Sequence, residues 1–113
     1  MQGKDPNPTP DDDVFQHLAT VYATSHATMW KGLSCRNSRG HVKPYTQFAD
    51  GITNGAAWYI VTGGMQDYNY VYHGTMEVTL EVSCCKHPPV TELKKHWHDN
   101  KLVGHYPSRS PSR

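Results

Sequence analysis

The sequence predicts an α/β chain in which three short helices accompany one β-strand. The strand is indicated over residues 76–83, where apolar and polar residues alternate without a break. Helices are indicated over about residues 11–24, 65–73 and 91–100, where apolar residues recur at helical spacing. Glycine and proline residues lie between these segments and mark the turns that separate them.

The first helix begins after Pro10, with Asp11, Asp12 and Asp13 in its first turn. Carboxylates at this end of a helix cap free N–H groups and interact favourably with the macrodipole. A metal site is the alternative role for these aspartates, but three adjacent helical residues cannot converge on one ion. We therefore interpret them as capping charge. The apolar face of this helix is formed by Val14, Phe15, Leu18, Val21 and Tyr22.

The later elements have equally local signals. Met65, Tyr68 and Tyr72 share one face of the second helix, and Gly74 is placed to end it. The third helix places Leu93 four residues before Trp97, and Pro88-Pro89 separates this helix from the strand. The two faces of the strand are Met76, Val78, Leu80 and Val82 on one side, and Glu77, Thr79, Glu81 and Ser83 on the other.

Composition limits both the size of the core and the class of partner. The chain has 113 residues and a formal net charge of +1, so no charge excess indicates nucleic acid or a membrane surface as a partner. Leu, Ile, Val and Phe number only 18 of the 113 residues, which predicts less than a complete domain. The longest apolar run, 56–61, is far below the ~18 residues of a membrane span. The first residues lack the apolar region of a signal peptide.

The chain divides into a polar lead-in (1–9), a central part (10–101) and a divergent tail (102–113) that we expect to be disordered. A Ser/Arg-rich end such as this tail has an RNA-associated arm as its alternative, but the rest of the chain offers no basic face to support it. Residues 25–50 form a long loop without clear periodicity, which predicts a functional role or an anchoring contact.

The histidines and cysteines are candidate catalytic or metal-binding residues. The chain has eight histidines, but none stands at a spacing typical of metal ligands, and His96 and His98 point apart on a helix. Cys84 and Cys85 with His87 could form a thiol nucleophile and its base. Adjacent cysteines after a strand are more often structural, and no electropositive setting is visible here.

Glu81 is the strongest single candidate. It lies at the end of the predicted strand, on the polar face, with Leu80 and Val82 beside it. A carboxylate in such a place suits a general base. The alternative is a solvated edge charge, which is the commoner role of a surface glutamate. The residue pattern leaves both open.

Four stretches of the sequence resemble the zinc metallocarboxypeptidases. The resemblance is carried by residues 50–70, 76–89, 8–15 and 92–100, and it covers about residues 8–101. Within that family it is closest to the regulatory N/E branch, in particular the carboxypeptidase D catalytic repeats. It implies that residues 10–101 are the C-terminal third of a catalytic domain with an α/β/α sandwich fold around a mixed eight-stranded sheet.

The resemblance also implies an activity and a cofactor. The family uses zinc to remove C-terminal residues, here Lys or Arg, from peptides and proteins in the secretory pathway or outside the cell. Its zinc ligands, in an H-x-x-E motif and a later histidine, lie upstream of the matched part, so we expect this chain alone to be inactive. The alternative is a catalytically dead or decoy fragment that acts as an interaction module.

Particular residues take roles from the same resemblance. Glu81 is expected to be the general base that activates zinc-bound water. Tyr59, 22 residues earlier, is expected to close over the substrate and bind its terminal carboxylate, and Gln66 to line the specificity pocket. A disulfide bond between Cys35 and Cys84 is implied, which leaves Cys85 without a partner.

Overall fold

The computed structural model describes residues 5–37, 39–43 and 46–101. The tail predicted for 102–113, and the first four residues of the lead-in, lie outside these ranges. Between the first two helices, the described ranges include short 3₁₀ turns at Met29–Lys31, the first turn, and at Ala49–Gly51, the second turn. The helices are α1 (Asp12–Ser25), α2 (Gly55–Trp58), α3 (Met65–His73) and α4 (Val90–Asn100).

The α/β prediction is wrong for this structure, and with it the sandwich that the resemblance implied. The described residues are helical and form no sheet; their one β-bridge joins Arg36 and Val42. Residues 76–83 are extended but are not assigned as a strand. Alternation determines which side chains share a face, whereas a strand also needs a neighbour that pairs with its N–H and C=O groups. No described segment supplies that neighbour.

The three helix predictions are confirmed, because their signals are local. α1, α3 and α4 coincide with the predicted spans to within a residue or so. Gly74 ends α3 in the left-handed conformation (φ 62°), and its N–H donates to the carbonyl of Tyr70 at 3.1 Å. A helix pairs its own backbone groups, so it forms with few tertiary contacts.

The first turn of α1 fits the capping interpretation only in part: the Asp13 carboxylate accepts the Val14 N–H at 2.9 Å, but Asp11 has a different role. Asp11 occupies the N-cap position but makes no side-chain cap bond. Its carboxylate instead accepts a hydrogen bond from the Tyr70 hydroxyl at 2.7 Å, which ties the start of α1 to α3. Phe15 strengthens this contact with an edge-on ring packing against Tyr70 at 5.3 Å. The Asp11 carboxylate is therefore used in tertiary packing, which no local pattern reveals.

The most buried part of the described chain is the C-terminal end of α1. Ala23 is fully buried and His26 is 7% exposed. The Tyr22 hydroxyl donates to the Asn100 side chain, and the Ala27 N–H donates to the Asp99 carbonyl at 3.4 Å. We call this meeting of α1, the first 3₁₀ turn and the end of α4 the junction.

The two 3₁₀ turns approach each other so closely that glycine is required. Gly51 has φ +72°, and a Cβ atom there would lie 2.0 Å from the Met29 carbonyl oxygen. Gly32 has φ +57°, and its Cβ would lie 2.1 Å from the Phe48 carbonyl oxygen. The long loop is thus anchored by backbone contact as well as by side chains. Among the described residues, no helix is both long and apolar enough to span a membrane.

Candidate functional site

The extended segment 76–83 lies beside α3 and is held there by side chains. The Gln66 amide donates to the Thr79 hydroxyl at 3.3 Å, and the Asn69 amide donates to a Glu77 carboxylate oxygen at 2.5 Å. Alternate residues of an extended segment share a face. We therefore call Glu77, Thr79 and Glu81 the polar row.

The register of these two bonds places the end of the polar row. Glu77 is paired with Asn69, and the later residue Thr79 is paired with the earlier helix residue Gln66. The segment therefore runs antiparallel to α3. The next step, to Glu81, leads past the N-terminal end of α3 toward the Gly63–Gly64 turn. Glu81 is exposed and makes no side-chain hydrogen bond to any described residue. Glu81 is therefore the member of the polar row without a hydrogen bond to a described residue.

Gln66 lies where the polar row meets the start of α3. Its side chain is half-buried and folds back over Gly64, at which a Cβ would lie 3.2 Å from the Gln66 Oε1 atom. The side-chain nitrogen donates to Thr79, two residues from Glu81. The structure therefore places Gln66 and the polar row in one neighbourhood.

Tyr59 lies on a separate aromatic support. Its ring packs edge-on against Trp58 at 4.7 Å, and Trp58 in turn packs against Phe48 at 5.1 Å. The Asn54 side chain caps α2 by accepting the Ala56 N–H at 3.1 Å. This cap stabilises the short helix that Tyr59 directly follows. Tyr59 is 38% exposed, and no described contact joins it to Gln66 or Glu81.

The cysteines tie the long loop to the end of the extended segment. Cys35 and Cys84 form a disulfide bond, with their Cα atoms 5.3 Å apart. The Cys35 N–H donates to the Thr46 hydroxyl at 2.8 Å, so the loop side of the bridge is also hydrogen-bonded. Because Cys84 is in the disulfide bond, it cannot be the thiol nucleophile that the sequence allowed. The remaining candidate for that role is Cys85, which is an exposed free thiol.

A cavity of about 270 Å³ lies between the junction and the end of the extended segment, where Val82 and Cys84 line it. Its lining includes two histidines, His26 and His96, together with Cys85. The Nε2 atom of His96 is buried without a hydrogen-bond partner, and the nearest Glu92 oxygen is 3.7 Å away. Sequence reasoning missed this grouping, because His26 and His96 come from helices at opposite ends of the chain.

The comparison with known families identifies the chain. The sequence profile described as zinc carboxypeptidase matches residues 2–103. The chain belongs to the zinc carboxypeptidase family. The resemblance found in the sequence is thereby confirmed.

Relatives of this zinc carboxypeptidase chain carry carboxypeptidase names. It is 46% identical to carboxypeptidase D of Drosophila melanogaster over 89% of the chain and 7% of that protein. It is 52% identical to carboxypeptidase M of Mus musculus over 82% of the chain and 19% of that protein. Carboxypeptidase N catalytic chain of Homo sapiens is 47% identical over 83% of the chain and 19% of that protein. The chain therefore spans a fifth or less of these relatives.

The described residues do not include a set of zinc ligands. In the ranges 5–37, 39–43 and 46–101, no three His, Cys, Asp or Glu side chains are grouped so that they could hold a metal ion. A protein zinc site normally takes three or four such ligands. The described residues therefore do not make a zinc site by themselves.

Proposed function

We propose that this chain is part of a carboxypeptidase that hydrolyses C-terminal Lys or Arg from peptides and proteins, with Glu81 as its general base. Family membership and the names of the relatives support the carboxypeptidase reaction. The observation that carries the role of Glu81 is the register between the polar row and α3. It leads Glu81 past the helix, exposed and without a hydrogen bond to any described residue.

The reaction assigns one proton transfer to Glu81. Its carboxylate accepts a proton from the water molecule whose oxygen attacks the carbonyl carbon of the last peptide bond. The same proton then passes to the nitrogen of the departing amino acid, so the carboxyl group returns to its ionised form. Glu81 has no hydrogen bond to a described residue that would compete for this proton.

Tyr59 and Gln66 are proposed to bind rather than to react. The phenol of Tyr59 donates a hydrogen bond to the terminal carboxylate of the substrate, and its Trp58 contact supports the ring. Gln66 is uncharged, so it orients a basic side chain by hydrogen bonding and leaves the charge of that side chain to be matched elsewhere.

We propose the secretory pathway or the extracellular space as the place of action. The support is the Cys35–Cys84 disulfide bond, since structural disulfides persist in oxidising compartments and are rare in the cytosol.

The experiment uses a hybrid in which residues 5–101 replace the matching segment of mouse carboxypeptidase M. Release of arginine from the C-terminus of a short peptide is measured for the parent hybrid and for Glu81→Gln. The amide cannot take a proton from water, so kcat should fall at least ~100-fold, the low end for a positioned general base. Glu77→Gln is the matched control, because its carbonyl oxygen can still accept the Asn69 hydrogen bond.

Two outcomes would contradict the proposal. Equal rates for the parent and Glu81→Gln would remove Glu81 as the base. A folded hybrid that binds substrate and never cleaves it would favour an interaction module instead.

In an active hybrid, Tyr59→Phe should act mainly on KM, because the phenol orients the substrate and takes no proton. Gln66→Ala should change the preference between Lys and Arg more than kcat.

A further inference from the structure

His26 is the buried polar side chain around which the junction is built. It is 7% exposed, and its Nδ1 atom accepts two backbone hydrogen bonds, from Thr28 at 3.1 Å and Met29 at 3.0 Å. The backbone N–H of His26 donates to the Tyr22 carbonyl at 3.0 Å, which closes the last turn of α1. The imidazole therefore directs the chain from the helix into the first 3₁₀ turn.

This geometry requires a neutral imidazole. A ring nitrogen accepts a hydrogen bond only when it carries no proton, so Nδ1 must be the bare nitrogen of the folded state. Protonation at Nδ1 would break both hydrogen bonds, because the new ring N–H would then face the N–H groups of Thr28 and Met29. It would also place a charge on a side chain that is only 7% exposed.

We propose that His26 is an acid-sensitive latch, whose protonation releases the first 3₁₀ turn from α1. The release would reach the second 3₁₀ turn, because the Met29 carbonyl oxygen lies directly against Gly51. The inference concerns the stability of the junction and does not depend on the proposed carboxypeptidase activity.

The charged groups around His26 favour and oppose this latch. From α4, Asp99 favours the protonated form, whereas Lys95 and His96 oppose it; Glu92 lines the same cavity. The Cys85 thiol, which follows the extended segment, also lines this cavity. The Thr28 and Met29 N–H groups face His26 from the start of the first 3₁₀ turn. Burial outweighs Asp99, so the pKa of His26 is lowered from its usual value of 6.5.

The direction of the pH effect follows from this lowering. When the junction is open, the imidazole takes up a proton near pH 6.5; when the junction is closed, the imidazole stays neutral to lower pH. The open state therefore binds more protons, and closure weakens as pH falls through 6.5. The neighbouring Asp99 has a lowered pKa, held down first by its hydrogen bond from Lys95, and it titrates below 3.8. The range from pH 7.5 to 5 thus isolates His26 from Asp99.

The test measures backbone hydrogen exchange of Thr28 and Met29 in the full chain between pH 7.5 and 5, expressed as protection relative to an unstructured peptide at each pH. We expect protection to fall at pH 5, by at most about 30-fold, which is the limit for uptake of one proton near pH 6.5 in the open state alone. His26→Asn should abolish this pH dependence. Asparagine already accepts an N–H two residues ahead at Asn37 and Asn54, so it can replace Nδ1 without titrating.

His96→Asn is the matched control, since it removes the other imidazole of the cavity and leaves the two latch bonds in place; it should retain the pH dependence. Three results would overturn the proposal: no protection of these amides at pH 7.5, protection that is unchanged at pH 5, or the same pH dependence in His26→Asn. If His26→Asn does not fold, the ¹⁵N chemical shifts of the His26 ring decide the matter. A titration midpoint at or above 6.5 would then reject the latch.

Discussion

The junction and the extended segment 76–83 differ in how far the fold completes them. At the junction, Ala23 and His26 are buried, and the backbone groups around them are paired. Along the segment, seven of the eight residues are exposed, and the apolar side chains remain about 40% accessible. A helix supplies its own hydrogen-bond partners, whereas an extended segment depends on a neighbour. The comparison shows that periodicity predicts an element only when its partners are local.

Few connections join the two regions. The Cys35–Cys84 bridge ties the loop after the junction to the residue that follows the extended segment. The Asp11–Tyr70 hydrogen bond ties α1 to α3, which in turn holds the polar row through Gln66 and Asn69. Each connection can be broken separately, and the expected effects differ in size.

Removing the disulfide bond should have the largest effect. The bridge joins residues 49 apart, and closing a loop of this length contributes about 4 kcal/mol on chain-entropy grounds. Cys35→Ser with Cys84→Ser should lower the free energy of unfolding in urea by about that amount. Cys85→Ser is the control, because Cys85 is exposed and free, and it should change little. Equal stability of the double variant and the parent would mean that the bridge constrains nothing.

Gly51→Ala should break the junction from its backbone side. The left-handed conformation costs a non-glycine residue about 1–2 kcal/mol. The added Cβ also meets the Met29 carbonyl oxygen, which brings the expected loss to about 3 kcal/mol. Gly40→Ala is the matched control, since Gly40 has φ +78° and nothing within 4 Å of its Cβ position. If both variants lose the same stability in urea, the close approach of the two 3₁₀ turns is refuted.

Leu80→Ala should have the smallest effect and tests the other side of the comparison. Leu80 is 43% exposed, so its truncation should cost less than about 1 kcal/mol, below the cost of removing a buried leucine. Ala23→Leu provides the contrast: Ala23 is fully buried, and overpacking should cost about 1–3 kcal/mol. A loss above about 2 kcal/mol for Leu80→Ala would show that the extended segment is packed like the junction.

The helices and their ends were predictable from the sequence. Val14 and Leu18 on α1, and Met65 with Tyr72 on α3, recur at the helical period, and Gly74 ends α3 where a left-handed residue is needed. These signals act within a few residues. The family could also be recognised, since its motifs are continuous stretches of sequence.

The sequence indicated part of the polar row but nothing of the latch. The sequence indicates Glu81 and Gln66, but the hydrogen bonds that set α3 against the segment join residues eight and 13 apart. The sheet was predicted wrongly, because the alternation of Met76, Val78, Leu80 and Val82 carries no information about a pairing partner. The role of His26 had no signal at all, since its environment is built by α1 and α4 together.

The sequence by itself determined the helices, the turns that end them and the family, because each depends on residue types at short and fixed spacing. Only the tertiary structure decided that Asp11 contacts Tyr70 instead of capping α1, that Gly51 lies against Met29, and that His26 is buried neutral beside α4. These outcomes depend on which distant backbone and side-chain groups remain to be paired once the helices have formed. That competition is settled by the packing of the whole chain.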